Sequence, residues 1–246
     1  MKLDLIAFGA HPDDTELGCS GTLASLAKAG KSIGVIDLTR GEMGSRGTIQ
    51  KREEEAATSS ALIGLAMRKN LGLPDTEILN TREFQLPIIR DLRRYRPHIV
   101  ILPPFEDRHP DHGMAARLLS DAVFYSGLVK METRTEEGAL QQPHRPPHVL
   151  TYMLDTPFEP DLVYDISETM ETKKQAVRAF DSQFDVADPG DEPATYISDP
   201  SFFETLIARA RRYGYRAGFT FGEPFRYPAR PIPVQSFDLF GDSGDA

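Results

Sequence analysis

The residues best suited to chemistry lie in two short clusters of histidine and aspartate. The first is AHPDDTE, in which His11, Asp13 and Asp14 follow an apolar run near the start of the chain. Two adjacent carboxylates repel each other, and burying them is costly unless a cation holds them. The second cluster is HPDH at residues 109–112. Either cluster alone could be a solvated turn, so the elements that position them decide whether they form one metal site.

Apolar periodicity predicts alternating strands and helices, which is typical of repeated β-α-β units. We expect strands at 3–8, 32–39, 67–73, 98–102, 149–154 and 162–166, and helices at 15–29, 49–63, 83–95, 112–124, 168–180 and 201–212. Pro87 is compatible with its helix only in the first turn. A long loop is expected at 185–200 and an extended tail at about 226–246. The pattern predicts one α/β, Rossmann-like domain over residues 1–246, with a mainly parallel sheet flanked by helices.

This topology brings the two clusters together, because ligands bind at the carboxyl ends of the strands in such sheets. AHPDD follows the first strand, TRGE at 39–42 follows the second, and HPDH follows the fourth. Histidine nitrogen and carboxylate oxygen suit zinc, and a catalytic zinc uses three protein ligands and one open position. We therefore interpret His11, Asp14 and His112 as zinc ligands, although iron or manganese could occupy the same donors.

Three further residues of the clusters remain for acid–base chemistry. Asp13 could take a proton from a water molecule on the metal. A carboxylate next to His109, such as that of Asp111, would hold this imidazole protonated and oriented.

Composition excludes several classes of function. The net charge of −9 argues against general nucleic-acid binding. No apolar run approaches a membrane span, and no signal-peptide pattern opens the sequence. The single cysteine, Cys19, permits neither an internal disulfide nor a thiolate zinc cluster. No glycine-rich nucleotide motif follows the first strand. We expect a cytoplasmic protein that acts on a small molecule, with no nucleic-acid or membrane partner.

The motifs resemble those of the LmbE-like, or PIG-L, zinc-dependent N-acetylglucosamine deacetylases. AHPDDTE resembles the family's A-H-P-D-D-E, with one additional residue, Thr15, before Glu16, and HPDH is intact. The likeness extends collinearly through TRGE, the REEE segment at 52–55, SQF at 182–184 and GEPF at 222–225.

The resemblance implies an LmbE-like fold and a hydrolase that removes an acetyl group from an amide nitrogen. It implies His11, Asp14 and His112 as zinc ligands and Asp13 as general base. It also implies that His109, paired with Asp111, stabilises the tetrahedral species and passes a proton to the leaving amine. Relatives commonly form hexamers, so a homo-oligomer is expected by analogy.

The resemblance also implies residues that contact the substrate. Arg52 matches the family arginine that binds substrate, and Tyr196 matches the tyrosine whose hydroxyl polarises the acetyl carbonyl. Chain length and the TRGEMGSRG segment resemble the enzymes that deacetylate N-acetylglucosaminyl-malate in bacillithiol biosynthesis. In that case Arg40, Glu42 and Arg46 would line the substrate site, and the arginines would bind the malate carboxylates.

Two alternatives remain open at this point. One is a deacetylase of the same family that acts on another N-acetylated sugar. The other is a non-catalytic α/β module that holds a structural metal. Structural zinc sites are closed and four-coordinate. The sequence offers no obvious fourth ligand near either cluster, and Asp13 would have no structural use.

Overall fold

Alternate residues of the central strand, β1 (Leu5–Gly9), pack into two different cores. Leu5 and Ala7 belong to one cluster of buried residues, and Ile6 and Phe8 belong to the other. Because successive side chains of a strand point to opposite faces, the sheet is covered on both sides. Such strands read as continuous apolar runs, which is why they could be found in the sequence.

The computed structural model describes residues 1–184 and 193–227. After β1 the chain forms α1 (Asp14–Lys28), β2 (Ile33–Asp37), α2 (Ile49–Ile63), β3 (Met67–Asn70), α3 (Arg82–Tyr95), β4 (Ile99–Leu102), α4 (Pro110–Ser126), β5 (His148–Tyr152), β6 (Leu162–Asp165), α5 (Met170–Arg178), α6 (Pro200–Arg216) and β7 (Gly222–Arg226).

The strands form one seven-stranded sheet in the order β3-β2-β1-β4-β5-β7-β6. The strands from β1 to β5 pair in parallel, and β7 runs antiparallel to both β5 and β6. The chain leaves β1 in one direction along the sheet and returns beside it as β4, so the order reverses between these two strands. The predicted α/β class with a mainly parallel sheet is confirmed.

Three details differ from the sequence expectations. The strand β7 was not predicted, because Glu223 and Pro224 in its GEPFR sequence are poor strand formers. Pro224 is tolerated because the pairing with β5 ends at Phe225. The helix α3 starts at Arg82, so Pro87 lies in its second turn and not its first. The helix α4 starts at Pro110, two residues before the predicted start.

Two predicted segments reach beyond the described residues. The extended tail expected at about 226–246 falls outside them from residue 228 onward, and so does the 185–192 part of the predicted loop. None of the helices in the described segments combines the length and apolar character that a membrane span requires.

Candidate metal centre

The carboxyl ends of β1, β3 and β4 meet at a cavity of about 400 Å³. The first turn of α1 and the start of α4 enter it from two sides. Its polar end is lined by His11, Asp13, Asp14, Asp75, Asp107, His109 and His112. The two clusters predicted to converge therefore lie in one cavity, at the point where the strand order reverses.

Asp14 faces both imidazoles that were predicted to share a metal with it. Its Oδ1 lies 3.1 Å from His112 Nε2, and its Oδ2 lies 3.7 Å from His11 Nδ1. Ligand atoms of a tetrahedral zinc with bonds of about 2.0 Å are about 3.3 Å apart. The His112 separation is close to this value, and the His11 separation is longer and involves the other oxygen of Asp14.

The second nitrogen of each imidazole is held by a buried carboxylate. His112 Nδ1 lies 2.5 Å from Asp107 Oδ2. His11 Nε2 lies 3.0 Å from Asp75 Oδ1 and 3.3 Å from Asp111 Oδ2. A carboxylate on the outer nitrogen fixes the ring and its tautomer, as in metal sites with histidine ligands.

The same carboxylates make the site favourable for positive charge. Burial lowers the pKa of His11, but hydrogen bonds to Asp111 and Asp75 raise it to about 10. Burial also lowers the pKa of His112, but the charge of Asp14 and hydrogen bonds to Asp107 and Asp14 raise it to about 9. Protons on the two rings offset part of the negative charge of the acidic groups. A divalent cation would replace them.

Two sets of three donor atoms lie close enough together to hold a metal ion. Ring nitrogens of His11, His109 and His112 lie within 4.8 Å of one another, and so do donor atoms of His11, Asp75 and Asp111. Imidazole and carboxylate donors fit zinc and also iron or manganese. The donor set therefore fits the predicted cofactor without selecting one metal.

Sequence reasoning missed Asp75 and Asp107 and found no further ligand near the motifs. In the structure both carboxylates contact the imidazoles and orient them. Asp75 follows β3 at the same edge of the sheet, and Asp107 precedes His112 by five residues in EDRHPDH. Their positions after strand ends were the sequence signal that could have identified both residues.

Asp13 occupies a strained position beside the metal centre. It is the N-cap of α1 with φ 125°, a conformation that costs a residue other than glycine on the order of 1–3 kcal/mol. Its Oδ2 lies 2.9 Å from Arg52 Nη2, and Arg52 also donates to the Pro12 carbonyl. Burial raises the pKa of Asp13 to about 7, although Arg52 opposes the shift. A carboxyl group with this pKa can exchange a proton near neutral pH.

The expected pairing of His109 with Asp111 is not formed. His109 is the N-cap of α4, and its Nδ1 accepts a hydrogen bond from the Asp111 backbone N–H at 3.3 Å. The Asp111 carboxylate instead accepts from the Thr76 N–H at 3.0 Å and lies beside His11. Burial lowers the pKa of His109, and the neighbouring charges of His11 and His112 lower it further. The lowered pKa favours the neutral ring, and because Nδ1 accepts a hydrogen bond, the proton of that ring lies on Nε2 and can be donated.

Three predicted substrate-binding side chains do not line the cavity. Arg40 is exposed, with Nε 4.0 Å from Glu53. The Glu42 carboxylate accepts from the backbone N–H groups of Arg40 and Asp75. Arg46 is buried and donates to the carbonyls of residues 182 and 193. The loop reaches the cavity through Gly41, Met43, Gly44 and Ser45, whereas Arg52 lines it directly.

Tyr196 lies at the cavity with 53% of its surface exposed. Its hydroxyl donates to Asp155 Oδ1 at 2.8 Å, and the Arg108 guanidinium lies over its ring at 4.3 Å. Neither Arg108 nor Asp155 was a predicted site residue. In this geometry the Tyr196 hydroxyl is bonded to a carboxylate at the side of the cavity.

Arg209 of α6 is another cavity residue that the sequence did not reveal. Its Nη2 donates to the Leu17 carbonyl at 2.8 Å, and its Nη1 donates to the Leu154 carbonyl. Within residues 1–184 and 193–227, no ion pair joins Arg209 to a carboxylate. A helical arginine among others carried no sequence signal that would distinguish it.

Comparison with known proteins places this geometry in context. Residues 6–123 match the family described as PIG-L, GlcNAc-PI de-N-acetylase. The chain is 32% identical over 228 residues to the diacetylchitobiose deacetylase of Thermococcus kodakarensis, covering 88% of this chain and 80% of that protein. It is 25% identical to the 1D-myo-inositol 2-acetamido-2-deoxy-alpha-D-glucopyranoside deacetylase of Mycobacterium sp. strain JLS, over 76% of each chain. The crystal structure of the conserved protein TT1542 from Thermus thermophilus superposes with a TM-score of 0.83 at 39% identity, covering 95% of this chain and 98% of that chain.

Proposed function

The chain belongs to the PIG-L, or LmbE-like, family of metal-dependent N-deacetylases, and we propose that it deacetylates N-acetyl-alpha-D-glucosaminyl L-malate. The products would be glucosaminyl-malate and acetate, as in bacillithiol biosynthesis. The reaction class follows from the family. The malate conjugate is the finer proposal.

The observation that carries the deacetylase proposal is the position of Asp14 between two imidazoles whose outer nitrogens are held by carboxylates. We assign His11, Asp14 and His112 as the ligands of a zinc ion, with Asp107 and Asp75 orienting the rings. When bound, the metal supplies a Lewis acid and lowers the pKa of water at the site.

Asp13 is the group we assign as general base. Its buried carboxylate can take the proton from the attacking water, and Arg52 fixes its orientation. The same proton can then pass to the leaving nitrogen, so that acetate and a free amine are formed. Because the pKa of His109 is lowered, we give the amine's proton to Asp13, where the family resemblance alone would give it to His109.

His109 is better placed than Tyr196 to donate a hydrogen bond to the developing oxyanion. His109 Nδ1 is occupied by a backbone N–H, which leaves Nε2–H free to donate. Such a donor is worth about 3–4 kcal/mol in comparable hydrolases. The Tyr196 hydroxyl would first have to leave Asp155. Polarisation of the acetyl carbonyl by Tyr196 therefore stays a prediction.

Arg209, and not the predicted loop arginines, is placed to bind the anionic part of the substrate. The Arg209 guanidinium lies at the cavity beside Leu17 and Leu154 and is bonded only to carbonyls among the described residues. A partly buried cation that pairs with no carboxylate of the described residues is stabilised when a carboxylate binds to it. A malate carboxylate would supply that partner.

A second candidate substrate is N,N'-diacetylchitobiose, which carries no charge. It is favoured by the 32% identity to an enzyme named for that substrate. The non-catalytic metal-binding module that the sequence left open is set aside, because the chain belongs to a family of enzymes.

Substrate comparison tests the proposal. Acetate release by the zinc-loaded protein would be measured with N-acetylglucosaminyl-malate, N,N'-diacetylchitobiose and free N-acetylglucosamine. We expect kcat/KM for the malate conjugate to exceed the other values at least tenfold, and Arg209→Gln to reduce that preference. A higher value for diacetylchitobiose would replace the malate substrate. No release from any of the three would contradict the deacetylase assignment.

Three expectations about the protein's context remain predictions. These are a homo-oligomer, hexameric by analogy, a cytoplasmic location, and the absence of nucleic-acid and membrane partners. Light scattering on the purified protein would test the first of them.

A further inference from the structure

A buried ion pair between α5 and β7 lies outside the cavity. Lys173 and Glu223 are 1% and 2% exposed, and Lys173 Nζ lies 2.7 Å from Glu223 Oε1. Glu223 belongs to the GEPF segment. Neither residue lines the cavity, so neither can contact a substrate there.

Lys173 bonds to the backbone of α1 as well as to Glu223. Its Nζ donates to the carbonyls of Glu16 and Leu17, each at 2.9 Å. An ammonium group has three N–H donors. All three therefore have an acceptor, and the buried charge is fully hydrogen-bonded.

Glu223 bonds to the same helix one turn further along. It accepts hydrogen bonds from the Gly21 N–H at 3.0 Å, the Thr22 N–H at 2.7 Å and the Thr22 hydroxyl at 2.6 Å. In a regular α-helix the Gly21 N–H bonds to the Leu17 carbonyl. The ion pair thus bonds to backbone groups that face each other across one turn of α1.

Leu17 connects this pair to the catalytic turn. Its N–H donates to the Asp13 carbonyl at 3.0 Å, and its carbonyl accepts from Lys173. Asp13 has a positive φ, which persists only where the surrounding structure holds it. The next residue, Asp14, carries the oxygens that face both imidazoles.

Stability alone is a weak explanation for the pair. Apolar residues of similar volume often replace a buried ion pair without loss of stability. Here the pair makes directed bonds to the backbone that follows the metal-binding turn. An apolar replacement could fill the space, but it could not make those bonds.

We propose that Lys173 and Glu223 are positioning residues that hold the first two turns of α1, so that Asp13 and Asp14 keep the geometry that binds the metal. The proposal rests on the proposed function only in taking this cluster as a metal site. It does not depend on which substrate is hydrolysed.

Metal binding without substrate provides the test. The metal-free wild-type protein, Glu223→Gln and Thr22→Val would be titrated with Zn²⁺ in competition with a chromogenic chelator, well below the unfolding temperature of each. Thr22→Val removes one hydroxyl bond to Glu223 and leaves no buried charge unpaired. The visible spectra of the Co²⁺ forms would report the ligand geometry.

The control is Lys69→Met. Lys69 Nζ lies 2.9 and 2.8 Å from the two carboxylate oxygens of Asp91, in an ion pair that joins β3 to α3. Loss of the Lys69 ammonium leaves the buried Asp91 carboxylate without its partner, just as Glu223→Gln leaves the buried Lys173 ammonium without its partner. It does not remove any contact with α1. The control therefore separates loss of stability from loss of positioning.

We expect the Kd for Zn²⁺ to rise at least tenfold in Glu223→Gln and two- to fivefold in Thr22→Val, with altered Co²⁺ spectra. Lys69→Met should stay within twofold of wild type although its Tm falls. Wild-type affinity in folded Glu223→Gln, or an equal loss in Lys69→Met, would overturn the proposal. If Glu223→Gln does not fold, Thr22→Val decides, and an unchanged Kd there is the contrary result.

Discussion

Two clusters of buried charged side chains contact the first turn of α1. They differ in whether the chain itself supplies the groups that neutralise their charge. In one, Arg68 bonds to both oxygens of Asp37 and to Glu16, and Ser59 supplies a further donor to Glu16. In the other, the candidate metal centre, five buried or half-buried carboxylates surround the imidazoles, and among the described residues only the guanidinium of Arg52 pairs with one of them.

The difference distinguishes a structural cluster of charged groups from a functional cluster made of chemically similar groups. Every carboxylate of the Arg68 cluster has a guanidinium partner, so this cluster needs nothing from outside the chain. The metal centre has an excess of negative charge, and its histidines hold protons strongly when no metal is bound. A buried charge that the chain leaves uncompensated indicates where a cation binds.

The largest expected effect is on turnover in Asp13→Asn. Asparagine cannot take a proton, so kcat for acetate release should fall by about 10² to 10⁴ fold. Because Asp13 is not an assigned ligand, zinc content measured by atomic absorption should stay near that of the wild type. Near-full activity would show that another group is the base. Asp14→Ala is the matched comparison and should lose zinc as well.

A mutation in the Arg68 cluster should lower the stability of the fold more strongly than it lowers metal affinity. Arg68→Met leaves Asp37 and Glu16 buried without their cation, which should lower the free energy of unfolding by about 3–5 kcal/mol. Urea denaturation would measure this loss. Because Arg68 bonds to the Glu16 side chain and not to the α1 backbone, the folded fraction should lose less Zn²⁺ affinity than Glu223→Gln does. A loss of metal affinity without a loss of stability would erase the distinction between the clusters.

A smaller effect is expected from the carboxylate that orients His112. Asp107→Asn keeps the shape of the side chain but weakens its hydrogen bond to His112 Nδ1. Changes to a group that orients a metal ligand typically cost about 10- to 100-fold in metal affinity. Isothermal titration with Zn²⁺ would measure it. An unchanged Kd would mean that Asp107 serves only its hydrogen bonds to the backbone N–H groups of Asp155 and Thr156.

The smallest expected effect is a pH dependence of stability within the Arg68 cluster. Burial raises the pKa of Asp37 from its ordinary value of 3.8 to about 6, although Arg68 opposes the shift. The folded state then binds the proton more tightly than the unfolded state, so this group's contribution to stability is lost as pH rises from about 4 to about 6.

The measurement is the free energy of unfolding of metal-free wild-type protein and Asp37→Asn at several pH values in that window. The wild type should lose on the order of 1–2 kcal/mol relative to the variant as pH rises. Parallel curves for the two proteins would mean that Asp37 ionises at the same pH in the folded and unfolded chain.

The parallel part of the fold and the convergence of the two motifs were accessible from the sequence, because both depend on local patterns. Apolar runs gave β1 and β4, and the rule for carboxyl ends of parallel strands placed His11 and His112 at one edge. By contrast, β7 has a short polar sequence containing Pro224, and its pairing with β6 is set by the tertiary structure.

For the site, the orientation of the side chains could not be predicted from the sequence. Arg40 and Arg46 were reasonable candidates by charge, but contacts with Glu53 and with the carbonyls of residues 182 and 193 hold them away from the cavity. Asp111 follows His109 closely in sequence, yet its carboxylate lies beside His11. Such partners come from other elements, and sequence spacing does not encode them.

The most direct test of the uncompensated charge at the metal centre is a zinc titration of the metal-free enzyme. Acetate release from N-acetylglucosaminyl-malate and the unfolding temperature would be followed in parallel. We predict that both rise with added Zn²⁺ and level off at one ion per chain, and that Asp14→Ala shows neither rise. Full activity of the metal-free protein, or a rise of the same size in Asp14→Ala, would contradict the assignment of this cluster as the metal site.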